Sequence, residues 1–108
     1  MKSLKQTEDL IRLTLRSGDE NFAMAYEKML SYYAFFDFNY STNHCKIIGM
    51  LYDYTRRKPT YVSISMQCNV SDSTLKRNRK QYVDCFIFYL TEINRSAYEI
   101  AFADAGQK

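Results

Sequence analysis

Several residue types that often carry structure or chemistry are scarce in this 108-residue chain. It contains no Trp, one His, one Pro and three Gly. Because Gly and Pro mark turns and loops, their scarcity indicates few turns and long regular elements. The chain also lacks any run of about 18 uninterrupted apolar residues, which excludes a transmembrane helix. Its length and its 46% apolar content predict one ordinary globular domain.

Metal-ligand and nucleophile patterns are missing as well. Cys45, Cys68 and Cys85 are odd in number and widely spaced, and no Cys-x-x-Cys pair occurs. The single His44 stands beside Cys45, and adjacent residues on a helix point in different directions. The sequence therefore predicts neither a zinc site nor a Cys–His dyad, and we interpret the cysteines as buried, reduced thiols.

Catalytic carboxylates and a targeting segment are not predicted either. The acidic pairs Glu8-Asp9 and Asp19-Glu20 stand at the beginnings of predicted helices, where capping and the helix dipole account for them. Polar residues follow the basic start of the chain where a signal peptide needs an apolar stretch. With no Gly-rich phosphate loop, we expect a cytoplasmic protein that is not an enzyme and has no cofactor and no metal.

Apolar residues recur at three- and four-residue spacing along most of the chain, which is the period of an amphipathic helix. Gly18 ends the first helical segment, and Pro59 prevents the third from continuing. The predicted helices span about 4–17, 20–37, 43–57, 61–68 and 72 onward, the last running through Phe102 and fraying near Gly106. The predicted fold class is all-α, a small domain of about five helices with a long C-terminal helix.

The second predicted helix carries more apolar side chains than one packing face needs. Its main stripe is Phe22, Tyr26, Met29, Leu30, Tyr33 and Phe36. A further set widens the apolar surface: Met24, Tyr32, Phe35 and Phe38. Two interpretations have equal weight: a subunit interface, or aromatic side chains half-exposed around a single core.

The string from Val70 to Arg77, Val-Ser-Asp-Ser-Thr-Leu-Lys-Arg, has the features of a helix start. Ser71 is a preferred N-cap residue, Asp72 suits the positive end of the helix dipole, and Val70 can pack onto Leu75. The string resembles the turn and recognition helix of helix-turn-helix DNA-binding proteins, whose pattern is Val-Ser-x-x-Thr-Val-x-Arg. The likeness is nearest to region 4 of sigma factors and to the sigma-like regulators of bacterial phages and mobile elements.

This resemblance covers residues 59–90 and implies a first helix over 61–68, a turn over 69–71 and a recognition helix from 72. It overrides the local apolar/polar alternation of 61–66, which by itself is typical of a β-strand. Ile64 and Cys68 then occupy buried positions. The chain departs from the pattern at Asn69, where Gly is usual, and at Asn78, where an apolar residue is usual.

The resemblance also implies which side chains meet DNA. Arg77 is the best candidate for base readout, because Arg makes bidentate contacts with guanine. The predicted base-contacting residues are Ser71, Asp72, Ser73, Lys76, Arg77 and Lys80. The predicted phosphate-contacting residues are Arg56, Arg57, Lys58, Thr60 and Arg79.

The distribution of charge supports this interpretation. Residues 56–80 hold seven cations and one anion, whereas the remainder of the chain holds eight cations and eleven anions. A formal net charge of only +3 therefore hides a strongly basic region, as expected of a phosphate-binding protein. The alternative is that 76–80 is a solvated helix face of a protein that binds only other proteins.

We expect a single domain over 1–108, with a helical hairpin over 1–40 and a trihelical helix-turn-helix unit over 43–104. The predicted function is a sequence-specific DNA-binding transcriptional regulator. Its expected partners are double-stranded DNA, a second copy of the chain in a homodimer and, if it is sigma-like, RNA polymerase. The alternative function is a helical protein–protein adaptor or anti-sigma-type modulator that does not bind DNA.

Overall fold

The computed structural model describes residues 3–102, and within that range the chain is all-α, as predicted. Residues 61–66 are helical despite their strand-like alternation. The described residues form six helices: α1 (Leu4–Arg16), α2 (Glu20–Tyr40), α3 (His44–Tyr52), α4 (Tyr61–Cys68), α5 (Asp72–Ile93) and α6 (Arg95–Phe102). None of these is long and apolar enough to cross a membrane.

Side-chain caps fix where four of the helices begin. In each case the side chain accepts a hydrogen bond from a backbone N–H of the first turn, which would otherwise lack a partner. Ser3 and Gln6 form a reciprocal capping box at the start of α1. The other capping residues are Asp19, Thr60 and Ser71. Helix α2 continues past the predicted boundary at 37 to Tyr40, and Ser41 after it adopts a left-handed conformation.

Helix α3 ends at Tyr52, five residues earlier than predicted. The Asp53 carboxylate accepts hydrogen bonds from the backbone N–H and hydroxyl of Thr55 and from Nε of Arg56. These bonds offer the backbone a local alternative to the helix, and they lower the pKa of Asp53 to about 2. A loop over 53–60 therefore precedes α4.

The predicted long C-terminal helix is two helices. Asn94 leaves the helical conformation with a φ of −160°, and its side-chain oxygen accepts a hydrogen bond from Ala97 N at 3.1 Å. Asn favours such local bonds over the helix interior, which explains the break. Helix α6 packs back on the core, where the Phe102 ring stacks 6.1 Å from that of Phe22. The predicted fraying at Gly106 lies outside the described residues.

Buried side chains from α1 to α5 form one core. Helix α2 lies along α5, with the rings of Phe22 and Phe86 5.2 Å apart and those of Tyr33 and Tyr82 5.0 Å apart. The predicted hairpin and helix-turn-helix unit therefore share their apolar interior over the described residues. This shared core holds α5 firmly along most of its length.

Candidate nucleic-acid interface

Helices α4 and α5 are joined by three residues, 69–71, in the arrangement that the sequence predicts. Asn69 adopts the left-handed conformation (φ 56°, ψ 48°) that Gly usually supplies at this position. Val70 N donates to the carbonyl oxygen of Ser65 at 3.0 Å, which closes the end of α4. Ser65 and Leu75 are buried, so the two helices pack closely at the turn.

Asn78 occupies the buried position of α5 where the helix-turn-helix pattern has an apolar residue. An unsatisfied amide there costs about 1–3 kcal/mol. Within residues 3–102, however, no fully buried side-chain nitrogen or oxygen lacks a hydrogen-bond partner. The Asn78 amide is therefore not a fully buried group left without a partner.

All six predicted base-contacting residues are exposed at the amino end of α5 or just before it. The Ser71 hydroxyl caps the helix, and Asp72 accepts a hydrogen bond from Ser65 at 3.2 Å. Lys80 forms an exposed ion pair with Asp84 at 2.8 Å. Lys76 and Arg77 form no ion pair with any other described residue, so their charges are available to a ligand.

The predicted phosphate-contacting residues divide into two groups. Arg56 and Arg57 lie exposed on the loop before α4, where Arg56 Nε pairs with Asp53 at 3.0 Å. Lys58 is half-buried: its ammonium lies 4.3 Å from the centre of the Tyr61 ring, and burial lowers its pKa. The Thr60 hydroxyl caps α4. On this side, Arg57 is therefore exposed, Arg56 is exposed but paired with Asp53, and Lys58 is packed against Tyr61.

Arg79 does not face solvent with the other cations of α5. Its side chain is 11% exposed, and Nη2 lies 2.7 Å from Oε1 of Glu8 on α1. Its guanidinium also stacks 3.8 Å from the centre of the Tyr61 ring. Because Glu8 neutralises the Arg79 guanidinium inside the protein, Arg79 is not available to phosphate, and we remove it from the predicted phosphate-contacting residues.

The sequence reasoning missed Glu8, although a signal was present. Glu8 was explained by the dipole at the start of α1, yet it lies in line with Leu4, Ile11 and Leu15 on the apolar stripe of that helix. A carboxylate on a buried stripe needs a cationic partner. That spacing predicts a buried ion pair, and the partner proves to be Arg79.

His44 is held by aromatic residues and not by Cys45. Its Nδ1 lies 2.6 Å from the Tyr82 hydroxyl, and its ring packs against those of Tyr33 and Phe36. Burial lowers the pKa of His44, against the opposing effect of the Asp37 charge. The ring therefore stays neutral near pH 7 as part of the packing between α2, α3 and α5.

The three thiols are free. Cys68 is buried, and Cys45 and Cys85 are half-buried. Burial raises the pKa of Cys85 to about 11, which disfavours the reactive thiolate. Over residues 3–102, His, Cys, Asp and Glu side chains form no cluster suited to a metal ion.

This chain matches no known family model, no curated protein and no solved structure. The assignment of a function therefore depends on the geometry of α4 and α5 and on the charges that they expose.

Proposed function

We propose that this protein is a non-enzymatic, cytoplasmic DNA-binding transcriptional regulator of the helix-turn-helix type. Helix α5 enters the major groove with its first turns. The observation that carries the proposal is the free exposure of Lys76 and Arg77 at the front of a helix whose other face is anchored in the core. A recognition helix needs both features, because its exposed side chains must reach base edges while its buried face holds it in a fixed position against the rest of the protein.

The loop before α4 supports the same orientation. Arg56 and Arg57 precede α4 in the chain, and both are exposed. In helix-turn-helix proteins the first helix crosses the DNA backbone while the second lies in the groove. Cations just before α4 are therefore suited to flanking phosphates, which position the protein without reading sequence.

The first experiment measures binding of the full chain to fluorescein-labelled duplex DNA by polarisation at two salt concentrations. We expect the affinity to fall by orders of magnitude between about 50 and 200 mM salt if several phosphates are neutralised. A selection from random duplexes then supplies the preferred site. Absence of duplex binding at low salt contradicts the proposal.

Three arginine variants separate base reading from general charge. We expect Arg77→Ala to cost roughly 1–3 kcal/mol on the selected site and to relax its specificity. Arg57→Ala should weaken selected and random duplexes equally and reduce the salt dependence. Arg95→Ala, at an exposed position of α6 where the arginine pairs with Glu99, removes the same charge far from the turn and serves as the control. Equal losses for all three variants would show that only net charge matters.

Homodimer formation through the exposed aromatic face of α2 completes the proposal. Tyr32 and Phe35 line a shallow hollow with Tyr89 of α5, and Glu27 and Lys28 line the same hollow. One acid and one base beside the same apolar surface allow two copies related by a twofold axis to pair reciprocally. A single small module contacts few base pairs, and a dimer binds two half-sites.

The same aromatic face favours a second candidate function. Phe35 is 70% exposed and Phe38 is 86% exposed, and such a surface also suits a protein partner, RNA polymerase included if the chain is sigma-like. In the adaptor alternative the protein binds only that partner and not DNA. Salt separates the two functions, because an apolar interface barely responds to ionic strength whereas phosphate contacts respond steeply.

A further inference from the structure

A buried carboxylate on α1 contacts both helices of the helix-turn-helix. Glu8 is only 2% exposed. Its Oε1 accepts from Nη2 of Arg79 at 2.7 Å and its Oε2 from Nε at 3.0 Å, which makes a bidentate pair with α5. The Tyr61 hydroxyl, on α4, donates to Oε1 at 3.1 Å. Paired, charge-assisted bonds of this kind fix direction as well as distance.

Further contacts close the cluster around Glu8. Arg79 lies over the Tyr61 ring and donates from Nη2 to the Tyr61 hydroxyl at 2.9 Å. The Tyr52 hydroxyl, on α3, donates to the second oxygen of Glu8 at 3.4 Å. One side chain of α1 therefore joins α3, α4 and α5, and α4 and α5 also bond directly to each other through this cluster.

The cluster is poorly explained as a device for stability alone. Removing a carboxylate and a guanidinium from water is costly, and an apolar pair of similar volume is often as stabilising or more so. A directional network, by contrast, tolerates one arrangement of its helices, whereas an apolar contact tolerates several. Arg79 is two residues from Arg77 on the same helix, so any rotation of α5 that breaks the pair also displaces the base-reading side chain.

We infer that Glu8 is a positioning residue for DNA recognition: it sets the angle between α4 and α5 through Tyr61 and Arg79. Helix α1 is then a working part of the DNA-binding unit, and not only half of a hairpin that supplies core. This inference rests on the proposed function, because it concerns how α5 is presented to the groove.

The test replaces the pair by apolar residues of similar volume, Glu8→Leu with Arg79→Met. We expect this variant to fold but to unfold at a lower temperature than the natural protein, because the buried Tyr52 hydroxyl loses its acceptor on Glu8. We also expect it to bind the selected duplex roughly tenfold more weakly, the loss of about one base contact, with affinity for random duplex unchanged. Lys5→Ala with Asp9→Ala removes the exposed ion pair of α1 and is the matched control. If the apolar variant binds the selected duplex as tightly as the natural protein does, the inference is wrong.

Glu8→Gln keeps the shape of the side chain and serves as a second variant; because it leaves the Arg79 charge unpaired, circular dichroism must first show that it folds. It removes the negative charge of Glu8, and we again expect weaker binding to the selected duplex with unchanged affinity for random duplex. If it binds the selected duplex as tightly as the natural protein does, the inference is wrong. Residual dipolar couplings of backbone amides give the α4–α5 angle without DNA. Couplings that match those of the natural protein refute a positioning role. If the natural protein binds no duplex, the proposed function is wrong, and the couplings then test only whether Glu8 sets the angle between α4 and α5.

Discussion

Burial of His44 is the residue-scale feature with the clearest consequence for solution behaviour. In the unfolded chain the imidazole titrates near its ordinary pKa of about 6.5, whereas burial among Tyr33, Phe36 and Tyr82 lowers the pKa in the folded protein. Below pH 6.5 the unfolded chain therefore binds more protons than the folded one. By linkage, the free energy of unfolding falls as the pH drops through this window.

Urea unfolding of the natural protein at about pH 7 and about pH 5 measures this loss. We expect His44→Gln, which keeps a polar partner for Tyr82, to depend less on pH in the same window. The Asp37 carboxylate accepts hydrogen bonds from the backbone of His44 and Cys45, and its pKa is lowered, so it stays charged throughout. An equal pH dependence in both proteins would contradict a role for His44.

Arg77 and Arg79 show which side-chain environments the sequence pattern can predict and which it cannot. The exposure of Arg77 was predictable, because a helix with Leu75 and Tyr82 facing inward places Arg77 outward. The burial of Arg79 was not, because its place on α5 alone does not reveal the carboxylate that α1 brings to it. A contact between residues 71 positions apart depends on the tertiary fold, and a local pattern contains no information about it.

The turn between α4 and α5 is the element on which the helix-turn-helix geometry depends. Asn69 is left-handed there, and that conformation costs most L-residues about 1–2 kcal/mol. We expect Asn69→Ala to lower the free energy of unfolding by about 1 kcal/mol, and Asn69→Gly to leave it equal or raise it. Denaturant titrations of the two variants measure the difference. Equal stability of the Ala and Gly variants would show that the turn tolerates another conformation.

Helix α3 contains a glycine that its surroundings do not require. A methyl group built on Gly49 meets no atom within 4 Å, and Gly in a helix interior costs roughly 0.5–1 kcal/mol relative to Ala. Gly49→Ala should therefore raise the free energy of unfolding by about that amount, as measured by urea denaturation. A destabilised variant would indicate that the backbone at Gly49 moves or is approached more closely than the structure shows.

Predictability at the scale of elements follows the range of the interactions involved. The starts of α2 and α5 were predicted to the residue, because Asp19 and Ser71 cap them locally. The end of α3 was predicted five residues too late, and the break at Asn94 was not predicted. In both places a polar side chain accepts a hydrogen bond from a nearby backbone N–H group and so competes with the helix. The spacing of apolar residues gives no sign of such a bond.

At the scale of the whole molecule, the exposed aromatic face of α2 is the surface through which we propose that the protein forms a dimer. Tyr89, at its edge, lies twelve residues beyond Arg77, or about 18 Å along α5. A partner seated on that hollow therefore leaves the first turns of α5, which we propose read DNA, open. The aromatic face and the proposed DNA-reading end can therefore bind different partners at the same time.

We expect the natural protein to sediment as a dimer at micromolar concentration, and Phe35→Glu to sediment as a monomer. Placing a carboxylate on each copy opposes burial of the face, because an unpaired charge is costly to remove from water. Leu13→Glu, at an exposed apolar position on α1, is the matched control and should leave the mass unchanged. On a duplex with two half-sites, Phe35→Glu should bind more weakly and lose cooperativity, whereas its affinity for a single half-site should equal that of the natural protein. A natural protein that sediments as a monomer at all concentrations, with and without duplex, would instead leave the aromatic face to a different protein partner.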